Sequence, residues 1–132
     1  MKVLIVEDDF ISRCLIQKML CKFGECDIAV NGAEAVEAFS NAFQKGAPYQ
    51  LICLDIMMPE MNGQQVLKVI RRIESDLGVN QQQETKVIMT TALDSPQNVI
   101  EAYYNGGCTS YLVKPIDKKK LLTHIREYGL ID

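Results

Sequence analysis

What this 132-residue chain lacks narrows its class. It has no surplus of positive charge: 14 Lys+Arg against 17 Asp+Glu leave a net charge of −3. That balance argues against direct nucleic-acid binding through bulk positive charge. No apolar run approaches the roughly 18 residues of a membrane span, and the opening M-K-V-L-I-V-E is too short and too acidic for a signal peptide. A cytoplasmic chain without membrane insertion is therefore expected. The five cysteines (14, 21, 26, 53 and 108) are odd in number and have no C-x-x-C spacing, so they read as reduced thiols, mostly in the core, and not as a disulfide framework. Histidine occurs once, as His124, where the helical pattern suggests a surface position. A second domain has no room: the length suits one unit, residues 1–132, with a compact radius of roughly 14 Å.

What is present alternates between two periods. Short apolar runs at 3–6, 26–30, 51–54, 87–89 and 111–113 read as strands, and each is followed by a segment with helical spacing. In the first such segment Ile11, Leu15, Met19 and Phe23 share one face, expected to be buried, and Gly24 ends the helix. Asn31 opens the second with Glu34 three places on, burying Val36, Phe39 and Phe43. Asn62-Gly63 opens the third, with Val66, Ile70, Ile73 and Leu77 inward. Ser95-Pro96 starts the fourth and Asp117 the fifth, with Leu121, Ile125 and Tyr128 facing the core. The polar, glutamine-rich stretch 78–85 is the one long loop and reads as a solvated insertion. Five βα units with strands apolar on both faces make an α/β fold, a single doubly wound five-stranded parallel sheet with five helices.

Open α/β sheets bind ligands beyond the carboxyl ends of their strands. Those ends carry Glu7, Asp8 and Asp9 after the first run, Asp55 after the third, Thr90 and Thr91 at the fourth, and Lys114-Pro115 after the fifth. A capping role suits many such acids, but the next helix after Asp55 starts only at Asn62, so Asp55 has no adjacent helix end to cap. Two like charges about 4 Å apart repel by roughly 4 kcal/mol at an effective dielectric near 20. Glu7, Asp8 and Asp55 bring three negative charges and Lys114 returns one positive, so a divalent cation would neutralise the set; without it a carboxyl pKa should rise. Oxygen-only ligands favour Mg²⁺ or Mn²⁺ over zinc. A hard cation, a carboxylate, a hydroxyl and an ammonium group are the parts of a phosphoryl-transfer site, with the aspartate as nucleophile.

The ordered motifs V-E-D-D-F (6–10), L-D-I-M-M-P-E-M-N-G (54–63), M-T-T-A (89–92) and Y-L-V-K-P (111–115) together resemble the response-regulator receiver domains of two-component signalling, above all single-domain chemotaxis-type regulators. The resemblance spans residues 2–129 and implies a flavodoxin-like sheet of order 2-1-3-4-5. It implies that Asp55 is the phosphoacceptor and that Glu7, Asp8, Asp55 and the Met57 carbonyl hold Mg²⁺ (or Mn²⁺), with Glu7 standing where Asp is commoner. Thr91 then resembles the switch hydroxyl, Tyr111 the aromatic switch, and Lys114 the phosphate-contacting lysine before a cis Pro115. Met57 and Leu93, two places after Asp55 and Thr91, fall where the family tunes the phosphoryl lifetime.

The implied partners are a histidine kinase or phosphotransfer protein upstream and a downstream protein target. The target would meet a surface of the fourth helix, fifth strand and fifth helix, bordered by Lys118, Lys119 and Lys120. Such a chain is no enzyme in the ordinary sense, catalysing only its own phosphorylation and dephosphorylation. A receiver excised from a larger regulator or hybrid kinase, or a phosphorelay shuttle, fits the same motifs, although the start at Met1 favours a free-standing chain. An aspartate-nucleophile phosphatase of the dehalogenase type would need an acid two places after Asp55, where Met57 stands, and a cap domain that the length excludes.

Overall fold

A computed structural model describes residues 1–92 and 107–132. Five strands, β1 (Lys2–Val6), β2 (Glu25–Ala29), β3 (Leu51–Asp55), β4 (Lys86–Thr91) and β5 (Ser110–Val113), form one parallel sheet in the order β2-β1-β3-β4-β5. Four helices lie among the described residues: α1 (Phe10–Leu20), α2 (Gly32–Gln44), α3 (Gly63–Asp76) and α4 (Lys118–Glu127). The fold is thus flavodoxin-like. The helix expected from Ser95, together with Leu93, lies outside the described residues. Among those described, no helix is long and apolar enough to cross a membrane.

Strand alternation divides the interior into two cores. Leu4, Val6, Ile52, Leu54, Val87 and Met89 point to the side covered by α2 and α3, where Phe39, Val66, Leu67 and Ile70 meet them. Val3, Ile5, Leu51, Cys53, Ile88 and Leu112 point to the opposite side, against Ile16 and Leu20 of α1 and Leu121, Leu122 and Ile125 of α4. The caps follow the sequence signals. Asn31 accepts from Glu34 N at 2.8 Å, Asn62 and Gln65 form a reciprocal capping box, and Asp117 accepts from Lys119 N at 2.8 Å.

Several burial expectations are corrected. On α1 the expected inward residues Ile11 and Leu15 are exposed, at 68% and 49%, and the sheet is met by Ile16 and Leu20. Two apolar stripes lie about 100° apart on this helix, and only one can face the sheet. The helix also stops at Leu20, short of Gly24. On α2 Ala35 and Ala42 are buried with Phe39, while Val36 and Phe43 are half-buried. On α3 Leu77 is an exposed C-cap residue and Ile73 is half-buried. β2 is a half-exposed edge strand and not apolar on both faces.

His124 is not a free surface residue: its Nδ1 lies 2.8 Å from Ser110 Oγ on the buried start of β5 and 3.3 Å from Tyr128 Oη. The cysteines are all free, but Cys14 and Cys21 are exposed on or just after α1, so only part of the set is in the core. Burial pushes the Cys53 thiol up to about 12 and the Cys108 thiol up to about 11, which keeps both protonated and inert.

The loop between α3 and β4 is less passive than its composition suggests. Glu74, buried on α3, pairs with Arg71 at 2.6 Å and accepts from Thr85 N at 2.8 Å, while Thr85 Oγ1 donates to Tyr49 O at 2.8 Å. Arg71 Nε in turn donates to Gly107 O at 2.9 Å.

Candidate functional site

The carboxyl edge of the sheet gathers the acids from two neighbouring strands. Glu7 and Asp8 follow β1, Asp55 ends β3, and the Val6↔Leu54 register brings Glu7 alongside Asp55. One carboxylate oxygen from each of Glu7, Asp8 and Asp55 lies within 4.8 Å of the others. Glu7 and Asp55 are buried and Asp8 is exposed, so the cluster is closed below and open to solvent on one side. Asp9 takes a different role: it caps α1, accepting from Ser12 N at 2.9 Å, and that amide holds its carboxyl below the ordinary range.

Lys114, just past β5, reaches across the end of β4 into this cluster. Its ammonium lies 3.0 Å from Glu7 Oε1, 2.9 Å from Glu7 Oε2 and 3.4 Å from Asp55 Oδ1. Its own backbone N donates to Thr91 O at 2.7 Å, and the Lys114–Pro115 peptide is cis. Burial disfavours the Lys114 charge, but the two carboxylates outweigh it and hold the ammonium above the ordinary lysine range. Asp55 is pushed up to about 7, first by burial and then by the Glu7 charge; Lys114 and the Met57 amide, 3.2 Å from Oδ1, only partly oppose this. The rise expected of crowded carboxylates is therefore present.

Thr91 is buried at the tip of β4, and Tyr111 on β5 is half-buried against the core beneath α2 and α3. The Met57 side chain is 57% exposed beside the acids. Leu93 lies outside the described residues. The edge thus brings together Glu7, Asp8, Asp55, Met57, Thr91 and Lys114. Two contributors were not foreseen. Arg13 donates from Nη1 to Glu7 O at 3.1 Å and so fixes α1 against the acidic turn. Gly63, at the start of α3, donates to Ile56 O at 2.9 Å and closes the loop that follows Asp55. The N-G pair at 62–63 carried a signal for the second, since a Cβ at Gly63 would run into the Asp55 carbonyl.

The donor set fits a hard divalent cation: three carboxylates converge, no imidazole or thiolate is among them, and one lysine leaves the cluster net negative.

The sequence profile of the family described as "Response regulator receiver domain" matches residues 3–126. Over 129 residues the chain is 32% identical to the osmosensing histidine protein kinase SLN1 of Saccharomyces cerevisiae, covering 96% of this chain but 10% of that protein. Among solved structures, the receiver domain of the histidine kinase CKI1 from Arabidopsis thaliana, complexed with Mg²⁺ and BeF₃⁻, is 28% identical. It superposes with a TM-score of 0.81, covering 97% of this chain and 89% of that one. The co-crystal structure of the S. cerevisiae phosphotransfer protein Ypd1 with the receiver domain of its downstream response regulator Ssk1 gives 31% identity and a TM-score of 0.81, covering 98% and 88%.

Proposed function

The chain belongs to the response regulator receiver domain family, and from that membership we propose that it accepts a phosphoryl group on Asp55 and changes its surface in response. The observation that carries this is the cluster of the Glu7, Asp8 and Asp55 carboxylates at the carboxyl edge of the sheet, two of which, Glu7 and Asp55, meet the Lys114 ammonium.

Glu7, Asp8, Asp55 and the Met57 carbonyl would hold Mg²⁺, with Mn²⁺ an acceptable substitute for oxygen ligands. When bound, the cation neutralises charge developing on the phosphoryl oxygens. Asp55 must be ionised to act: one carboxylate oxygen attacks phosphorus, the P–N bond to a donor imidazole breaks, and the electron pair leaves with that ring. Lys114 offers its ammonium to a phosphoryl oxygen, and Thr91 its hydroxyl to another. About two added negative charges then bias a two-state surface, with Thr91 drawn towards the phosphoryl group and Tyr111 turning inward. Catalysis is confined to the chain's own phosphorylation and dephosphorylation.

The donor is a histidine kinase or phosphotransfer protein, a choice supported by the kinase among the relatives and by the Ypd1–Ssk1 complex. Its docking surface is the apolar patch of Phe10, Ile11 and Leu15, which borders a groove of about 390 Å³ lined also by Lys114, Pro115 and Ile116. The downstream protein target would meet the sheet edge where Tyr111 of β5 and Lys120 of α4 line one groove.

Incubation with acetyl phosphate and Mg²⁺, followed by intact mass and peptide mapping, tests the proposal. A phosphate-sized gain on the peptide holding Asp55, lost in Asp55→Asn, is expected. Failure of the wild-type chain to form any Mg²⁺-dependent adduct overturns it.

A further inference from the structure

The registers Asp55↔Thr90 and Thr90↔Leu112 set three residues side by side across β3, β4 and β5, and Glu7 extends the row past β1. Alternation places this row on the α1–α4 side of the sheet, because Ile5, Cys53 and Ile88, each two residues earlier, all lie in that core. Lys114 follows Leu112 by two and shares the face. To reach Asp55 and Glu7 from β5 its side chain crosses β4, where the residue of this row is Thr90. Thr90 is 2% exposed, and among the described residues its hydroxyl has no hydrogen-bond partner.

An unpartnered buried hydroxyl is a defect in an apolar core, and valine would fill the same volume without it. Such a group next to reacting residues marks a position where stability gives way to function. The Lys114 ammonium, which passes β4 to reach Glu7 and Asp55, supplies the reason. Lys114 has three N–H donors; one hydrogen bond goes to Glu7 Oε1, while Glu7 Oε2 and Asp55 Oδ1 lie at ion-pair distance, 2.9 Å and 3.4 Å away. A cation held by Glu7, Asp8 and Asp55 would compete for those same oxygens, and the ammonium would then lose acceptors. We infer that Thr90 is a positioning residue of the phosphoryl site, its Oγ1 accepting from Lys114 once Glu7 is engaged elsewhere, so that the ammonium stays aimed at the phosphoryl group.

This inference rests on the proposed phosphoacceptor role, and the test separates the two. Thr90→Val and Thr90→Ser are compared with the wild-type chain by urea denaturation without metal, and by calorimetric titration with BeF₃⁻, a tetrahedral phosphoryl analogue, in the presence of Mg²⁺. Thr90→Val should be as stable as wild type or more so, yet bind BeF₃⁻ about tenfold more weakly, the worth of one hydrogen bond to a charged group. Thr90→Ser, which keeps the hydroxyl, should bind within about twofold of wild type. Wild-type affinity in Thr90→Val overturns the inference, as does a loss in Thr90→Val that Thr90→Ser shares or that merely tracks lost stability. A wild-type chain that neither binds BeF₃⁻ with Mg²⁺ nor forms the Asp55 adduct overturns the phosphoacceptor reading, and this inference with it.

Discussion

Lys114 and Glu7, 107 positions apart in the chain, meet on the edge of the sheet, the ammonium donating to Glu7 Oε1 at 3.0 Å and lying 2.9 Å from Oε2. The lysine therefore occupies a carboxylate that a divalent cation would also claim. Charge neutralisation by Lys114 and the binding of a divalent cation would compete at Glu7.

Lys114→Met separates those roles. Removing the competing ammonium should raise the affinity for Mg²⁺ in a calorimetric titration. Phosphorylation by acetyl phosphate should fall about a hundredfold, the cost of losing one charge-stabilising donor. Weaker Mg²⁺ binding in the variant would contradict the competition.

The Asp55 carboxyl, raised to about 7, sets a pH dependence of stability in the absence of metal. Its folded form binds the proton more tightly than the unfolded chain, so its contribution is complete below about pH 4 and is lost as pH rises to about 7. Urea midpoints across that window should fall for the wild type relative to Asp55→Asn. Parallel curves for the two proteins would refute the assignment.

Met57, two residues past Asp55, presents an exposed apolar side chain beside the site. An amide there can orient an attacking water. Met57→Asn should therefore shorten the half-life of the acyl phosphate, by about tenfold and short of the hundredfold or more of full acid–base catalysis. Loss of label from the phosphorylated chain measures this, and an unchanged rate defeats the prediction.

Ile11→Lys alters the apolar patch without touching the core. Phosphotransfer from a phosphohistidine protein should slow by about tenfold, as for an interface anchor, while phosphorylation by acetyl phosphate stays at the wild-type rate. Equal slowing with both donors would mean that the patch serves the chemistry and not the docking.

Arg71→Met leaves the buried Glu74 carboxylate, among the described residues, with the Thr85 amide as its remaining close partner, and should cost on the order of 3 kcal/mol by urea denaturation. Pairing it with Glu74→Leu should restore part of that loss, since the uncompensated buried charge is removed along with its partner. No recovery in the double variant would show that the two side chains contribute separately.

The strand runs and the four motifs at their ends were enough to foresee the sheet and the convergence of Glu7, Asp8, Asp55 and Lys114, because strand ends in a parallel sheet share one edge. The face of α1 was not legible. Ile11/Leu15 and Ile16/Leu20 satisfy the same spacing, and nothing local says which stripe the sheet will meet. Nothing in the helical pattern flagged the burial of Glu74, although Arg71 three residues earlier was a signal for a pair. The partner of His124 lies 14 residues away on β5, beyond what periodicity within one helix can reveal. Thr90 read as one of two adjacent hydroxyls; only the register separates its place in the Asp55 row from that of Thr91.

Gly63 gives Asp55 its mechanical setting. With its amide tied to Ile56 and no space for a methyl group against the Asp55 carbonyl, the turn after β3 is a closed staple fastening the strand tip to the first turn of α3. A side chain added at Gly63 would therefore press on the Asp55 carbonyl and push aside the strand tip that carries the carboxylate.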